Sequence, residues 1–139
     1  MIHIIDYGLG NIGSIRNMLN RIGVNSSIIS TASEVLSAEK LILPGVGSFD
    51  SAINKIDSLN LRESICKRSR EVPLLGICLG MQLLGDRSEE GSLPGLGLIS
   101  GTVKRFLSTS EIKIPHMGWS FVTKTKESAL TKTLSLESK

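Results

Sequence analysis

Cysteine is scarce in this chain. Cys66 and Cys78 are the only two, and they have no CxxC spacing. Two cysteines are too few for the disulfide framework of a small secreted domain, and without a CxxC pair the usual zinc and redox motifs are excluded. We therefore expect neither a metal site nor a cofactor, and each cysteine needs its own explanation.

Aromatic residues and surplus charge are also scarce. The 139 residues include three Phe, one Tyr and one Trp, and the formal net charge is only +3. Much of that excess comes from lysines in the tail: Lys124, Lys126, Lys132 and Lys139. Nucleic-acid binding needs a basic surface interleaved with aromatic side chains, so we expect no nucleic-acid partner.

Long apolar runs are missing as well. Gly, Pro or Cys interrupts them far short of the roughly 20 residues that a membrane-spanning helix requires. The N-terminal letters, MIHIID, contain no basic region and no small-residue cleavage site, so they do not have the pattern of a signal peptide. The sequence therefore predicts a cytoplasmic protein without a membrane segment.

The length of 139 residues and the apolar content of 40% are typical of one compact domain, so we assign residues 1–139 to a single domain. Within it, short apolar runs alternate with amphipathic segments. The runs predict strands at residues 2–5, 27–29, 41–43 and 73–77. The amphipathic segments predict helices at residues 12–22, 49–59, 61–70 and 79–84, with a helical turn at 32–36.

Such alternation is typical of β-α-β crossovers. It predicts an α/β fold in which helices cover both faces of a parallel sheet. Beyond Asp86 the pattern changes to short apolar runs separated by Gly and Pro, at residues 98–100, 103–106 and 121–123. We expect these runs to be strands that continue the sheet as hairpins.

The strongest functional signal is GICLGMQ at residues 76–82, between a predicted strand and a predicted helix. A nucleophile with a glycine two residues before and after it can occupy a sharp turn, because missing side chains let strand and helix approach closely. Cys78 would project above the sheet, where the helix N-terminus favours a thiolate. The Leu79 N–H would point at the same spot as an oxyanion donor. The alternative is a buried structural cysteine.

Two further glycine-rich turns follow predicted strands. PGVG at residues 44–47 should share one edge of the sheet with Cys78, since ligands of open α/β sheets bind at the carboxyl ends of strands. It would offer a second N–H to an oxyanion, or else be an ordinary turn. GLGNIG at residues 8–13 fits the dinucleotide pattern, but the second strand runs into Ser30 and Thr31 instead of an acidic residue. We therefore do not expect nucleotide binding.

The chain has two histidines, His3 and His116. His3 lies near the start of the first strand and should face the edge opposite Cys78, so we expect a structural role. His116 lies in PHMGW, residues 115–119, where a partner interface is the favoured interpretation and a Cys–His pair is the alternative. Cys66, on a predicted helix, is most simply a small core residue.

Three motifs carry a resemblance that covers nearly the whole chain. They are DYGLGN at residues 6–11, LPGVGSF at 43–49 and GICLGMQ at 76–82, with PHMGW following. With them the chain resembles the class I, triad-type glutamine amidotransferases, and among these the glutaminase subunits of imidazole glycerol phosphate synthases. The resemblance implies a flavodoxin-like parallel sheet, flanked by helices and lacking its C-terminal part, that hydrolyses glutamine to glutamate and ammonia.

The resemblance also implies roles for individual residues. Cys78 would be the nucleophile that forms a glutamyl thioester, and Gln82 would contact bound glutamine. The oxyanion hole would be completed, after a rearrangement, by Gly45, Val46 and Gly47 together with Leu79. A (β/α)8 cyclase subunit would form a heterodimer with the chain and use its ammonia to make imidazole glycerol phosphate and AICAR from PRFAR in histidine biosynthesis. The residues implied to face this cyclase are Asn11, His116, Met117, Gly118 and Trp119.

Two departures from the family pattern leave alternatives open. The family's general base and its orienting carboxylate form a His-x-Glu pair near the C-terminus, and residues 1–139 contain no such pair. The chain alone is therefore expected to be an inactive or weak glutaminase. Ser120 replaces the usual Asn after the tryptophan, which is compatible with a paralogue that serves another ammonia-using synthase. The remaining alternative is a non-catalytic partner or scaffold domain of the synthase.

Overall fold

The computed structural model describes residues 1–107, 114, 118–119, 123–128 and 131. The chain divides into two compact units, Met1–Arg105 and Phe106–Lys139. All the helices and strands described below belong to the first unit. None of the helices among the described residues is long and apolar enough to cross a membrane.

The first unit alternates strands with helices along most of its length. In chain order the elements are β1 (Ile2–Ile5), α1 (Ile12–Arg21), β2 (Ser26–Ile29), α2 (Ala32–Ser37), β3 (Leu41–Leu43), α3 (Phe49–Ser58), α4 (Arg62–Arg68), β4 (Leu74–Gly76), α5 (Leu79–Gln82), β5 (Arg87–Ser88) and β6 (Thr102–Val103). The predicted strands and helices of the first 82 residues are confirmed, with ends that differ by up to two residues.

Four of the strands form one parallel sheet in the order β2-β1-β3-β4. The predicted α/β fold with a parallel sheet is therefore confirmed. From β1 the chain first adds β2 on one side and then β3 and β4 on the other, so the order reverses between β1 and β3. Loops that leave neighbouring strands at such a reversal diverge, and they open a crevice at the carboxyl edge of the sheet.

The core explains why helices cover both faces. Side chains alternate along β1, so that Ile4 packs in a small cluster with Leu19 of α1 and Ile42 of β3. Ile5 faces the other way, into a larger cluster that includes Phe49 and other buried side chains of α2 to α5. β3 is buried along its whole length, as expected of a central strand in a parallel sheet.

The predicted hairpins beyond Asp86 are wrong. β5 and β6 pair in parallel and form a separate two-stranded sheet, and no strand covers residues 98–100. The N–H groups of Leu98 and Ile99 instead donate to the Leu84 carbonyl oxygen, each at 2.9 Å. The carbonyls after the last turn of α5 lack helical partners, and this segment supplies donors for them. The strand predicted at 103–106 is Thr102–Val103, and residues 121–122 lie outside the described residues.

Candidate active site

Cys78 occupies the turn between β4 and α5 with a strained backbone. Its φ is 55° and its ψ is −121°, a conformation that only glycine adopts readily. The side chain is exposed, so the alternative of a buried structural cysteine is wrong. A strained turn that holds a thiol in solvent is the geometry expected of a nucleophile at the end of a strand.

The flanking glycines make this turn possible. A Cβ on Gly76 would lie 2.6 Å from the Cα of Met81. A Cβ on Gly80 would lie 2.7 Å from the carbonyl carbon of Leu43 and closer still to its oxygen. Strand β4, helix α5 and strand β3 therefore touch through backbone atoms, which is the close approach that the glycine spacing predicted.

Backbone N–H groups at the start of α5 are divided between the helix and the site. Met81 and Gln82 donate to the Cys78 carbonyl at 3.0 and 3.3 Å. The Leu79 N–H donates to no residue among 1–107, and the Leu79 side chain is buried. An N–H group held next to the thiol by a buried side chain is suited to bind a developing oxyanion.

The glycine loop, residues 44–47, lies beside Cys78. The Ile77 N–H donates to the Leu43 carbonyl at 3.0 Å, which ties the end of β4 to the start of the loop. A Cβ on Gly45 would lie 2.8 Å from the Gly80 nitrogen and 3.0 Å from the Leu79 Cβ. The predicted placement of this loop and Cys78 at one edge of the sheet is confirmed.

Gln82, the last residue of α5, borders a cavity of about 250 Å³. Its Oε1 atom is buried and has no hydrogen-bond partner among the described residues. A buried carbonyl oxygen without a donor costs free energy, so it favours a ligand that brings an N–H group. The other lining residues are Met81, Gly85, Ile99, Ser100, Gly101, Thr102 and Val103.

Comparison with known proteins decides the family. The family model "Glutamine amidotransferase class-I" matches residues 3–138. The chain belongs to the class I glutamine amidotransferases. The resemblance given by the three motifs is therefore confirmed.

Curated relatives of this class I amidotransferase are named as subunits of imidazole glycerol phosphate synthase. It is 50% identical over 124 residues to "Imidazole glycerol phosphate synthase subunit HisH 2" of Methanococcus maripaludis, covering 88% of this chain and 61% of the relative. It is 43% identical over 139 residues to the HisH subunit of Leptospira borgpetersenii, covering 96% of this chain and 68% of the relative. The chain thus spans about two thirds of the length of these relatives.

A solved structure supports the fold of the amidotransferase. "Crystal structure of glutamine amidotransferase" superposes with a TM-score of 0.62 at 21% sequence identity, over 75% of this chain and 56% of that chain. At that identity the likeness shows the fold alone.

The interface residues implied by the resemblance are divided between the two units of the chain. Asn11 caps α1, because its Oδ1 accepts a hydrogen bond from the Ser14 N–H at 3.1 Å. Gly118 and Trp119 belong to the second unit, and the Trp119 side chain is fully exposed. His116 and Met117 lie outside the described residues. Their role in an interface stays a prediction.

The other two residues that could have taken part in catalysis, His3 and Cys66, make contacts typical of a structural role. His3 Nδ1 lies 2.8 Å from the Ser27 hydroxyl in the first half of β1, at the edge opposite Cys78. The Cys66 thiol is half-buried and donates to the Leu96 carbonyl at 3.5 Å. Burial raises the pKa of the Cys66 thiol, so it remains protonated and unreactive at neutral pH. Among the described residues, no group of three or more His, Cys, Asp or Glu could hold a metal ion.

Sequence reasoning missed two contacts between distant parts of the chain, one of which is at the glycine loop. The buried Tyr7 hydroxyl donates to the Pro44 carbonyl at 2.8 Å. The carboxylate of Asp50, in the first turn of α3, accepts hydrogen bonds at 2.9 to 3.0 Å from the N–H groups of Ser92 and Leu93. A lone Tyr between a buried strand and a glycine turn was a signal for the first contact, since a buried phenol needs a partner. No local pattern signals the second.

Proposed function

We propose that this chain supplies the nucleophile, the oxyanion loop and a glutamine contact of a glutaminase in imidazole glycerol phosphate synthase. The exposed thiol of Cys78 on its strained turn, beside the glycine loop, carries the proposal. Its thiolate adds to the carboxamide carbon of glutamine. The amide nitrogen is then protonated and departs as ammonia, so that a glutamyl thioester remains. Water hydrolyses that thioester to glutamate and the free thiol.

Backbone donors stabilise the negative charge of each tetrahedral intermediate. The Leu79 N–H serves as one donor, and an N–H of Gly45, Val46 or Gly47 becomes the second donor after the loop rearranges. The unpartnered Oε1 of Gln82 accepts a hydrogen bond from the bound glutamine. These residues therefore bind the substrate and stabilise the charge of the intermediates.

Proton transfer requires a group that the described residues do not place near Cys78. A base must accept the thiol proton, protonate the leaving ammonia and activate water. His3 is at the opposite edge of the sheet. Because residues 1–139 contain no His-x-Glu pair and the relatives are longer, we infer that a further segment supplies the base.

Loss of a base from a nucleophile–base pair costs several orders of magnitude in turnover. We expect residues 1–139, assayed with the cyclase and its ligand, to hydrolyse glutamine at least about a hundredfold more slowly than a version extended by the family's His-x-Glu segment. Equal turnover of the two proteins would contradict the inference about the base.

Covalent capture tests the nucleophile without requiring turnover. Residues 1–139 are incubated with the chloroketone analogue of glutamine, and the adduct is measured by intact mass. We expect one adduct, which Cys78→Ser abolishes and the matched variant Cys66→Ser leaves unchanged. Adducts on both variants would refute the assignment of Cys78.

The partner in this proposal is a (β/α)8 cyclase subunit, with the heterodimer working in the cytoplasm. Ammonia released into bulk water is protonated and loses its nucleophilicity, so direct channelling would couple the hydrolase step to the lyase reaction of the cyclase. The names of the relatives, which are subunits of imidazole glycerol phosphate synthase, support this partner. The exposed Trp119 supports a docking role for the second unit.

A further inference from the structure

Tyr7 makes the contact between β1 and the glycine loop. The residue lies two positions after the end of β1, and its side chain is only 1% exposed. Its hydroxyl donates to the Pro44 carbonyl oxygen at 2.8 Å, across 37 residues of sequence. Burial raises the pKa of Tyr7 to about 12, so the phenol keeps its proton and remains a donor throughout the neutral range.

This hydrogen bond fixes more than one atom. A peptide group is planar, so the direction of the Pro44 carbonyl also sets the direction of the Gly45 N–H. Pro44 is confined from a second side, because a Cβ on Gly10 would lie 3.1 Å from the Pro44 Cβ. The phenol oxygen also lies 2.8 Å from the position of a Cβ on Gly45. The first peptide of the glycine loop is therefore held by its surroundings.

The second half of the loop is not held in this way. Val46 is half exposed, and a Cβ on Gly47 would meet nothing within 4 Å. Neither Val46 nor Gly47 donates a backbone hydrogen bond to any residue among 1–107. The φ of Gly47 is 95°, where glycine turns without steric cost. The loop thus has a fixed first peptide and two free residues after it.

We propose that Tyr7 is a positioning residue, which anchors the Pro44–Gly45 peptide so that only Val46 and Gly47 rearrange when the oxyanion forms. The proposal rests on the proposed glutaminase function of the same site. Without the hydroxyl the first peptide also turns, and fewer loop conformations present an N–H to the oxyanion. The effect falls on the chemical step, because Tyr7 does not border the cavity beside Gln82.

The test uses Tyr7→Phe in the 139-residue chain, since this change removes only the hydroxyl. Inactivation by the chloroketone analogue of glutamine is measured over a concentration series, because its carbonyl oxygen becomes negative when the thiolate adds. We expect the limiting rate of capture to fall about tenfold, while the half-saturating concentration changes less than about twofold. The rate with iodoacetamide, which needs no oxyanion donor, should not change.

A matched control separates positioning from stability. Ser64, on α4, is also buried, and its hydroxyl donates to the Leu61 carbonyl at 2.8 Å. Ser64→Ala removes a similar bond and should leave the limiting rate unchanged. The proposal is overturned if Tyr7→Phe is captured as fast as wild type, if Ser64→Ala is slowed equally, or if iodoacetamide slows in parallel. Failure of wild-type capture would instead remove the proposed function, and this proposal with it.

Discussion

Gly80 packs directly on the carbonyl group of Leu43. A Cβ at position 80 would lie 2.7 Å from the Leu43 carbonyl carbon, a distance shorter than real Cβ contacts. The backbone of α5 and the end of β3 can therefore be neighbours only while position 80 is glycine.

Gly80→Ala should destabilise the first unit by about 2–3 kcal/mol, because backbone atoms of two elements must move apart. Gly13 is the matched control, since a Cβ there meets nothing within 4 Å inside α1. Gly13→Ala should raise the free energy of unfolding by about 0.5–1 kcal/mol. Urea unfolding of both variants measures the difference, and equal midpoints would contradict it.

Cys78→Gly should stabilise the protein while abolishing capture. The positive φ of Cys78 stores strain of about 1–3 kcal/mol, which glycine releases, and the greater freedom of glycine in the unfolded chain offsets part of it. We expect a net gain of about 1 kcal/mol. Cys78→Ala keeps the Cβ and hence the strain, so its stability should match wild type. Equal stability of the Cys78→Ala and Cys78→Gly variants would contradict the strain at this position.

Stability should depend on pH through Glu34, at the start of α2. Hydrogen bonds from the Thr31 hydroxyl at 2.7 Å and from the Ser30 and Thr31 N–H groups at 3.0 Å lower its pKa below the usual 4.5. Since the folded pKa is the lower one, this stabilisation is complete above about pH 4.5 and disappears as the pH falls through the folded value.

Glu34→Gln should therefore be less stable than wild type at pH 7, and the difference should shrink toward pH 3. Glu63→Gln, at an exposed position in the first turn of α4, is the control without such a capping box. Thermal unfolding at several pH values measures both. A difference for Glu34→Gln that is constant from pH 7 to pH 3 would disprove the role of its charge.

Trp119→Ala should weaken association with the cyclase subunit. An exposed tryptophan that becomes buried against a partner commonly contributes about 2 kcal/mol or more, so the Kd should rise about thirtyfold or more. Titration calorimetry with the purified cyclase measures it. Lys124→Ala is the control. It removes the ion pair with Glu127, five residues along the chain from Trp119, and is expected to change the Kd little. Unchanged affinity in the tryptophan variant would place the interface elsewhere.

The elements that could be predicted are those with a local cause. The glycines around Cys78 and the β-branched runs of β1 and β2 act over a few residues, so their spacing was sufficient. The contacts of Tyr7 with Pro44 and of Asp50 with Ser92 join residues 37 and 42 positions apart, and spacing contains no such information. The parallel pairing of β5 and β6 was missed for a related reason, because two-residue strands show no periodicity.

Strand β4 has one neighbour, β3, within the sheet described above. Leu75 on β4 and Ile77 just after it are both exposed, and the outer backbone groups of this strand face away from β3. An edge strand with exposed apolar side chains is a template for pairing with another chain. In the test tube the apparent molar mass from light scattering should consequently rise with protein concentration, and Leu75→Lys should suppress this self-association without touching the thiol.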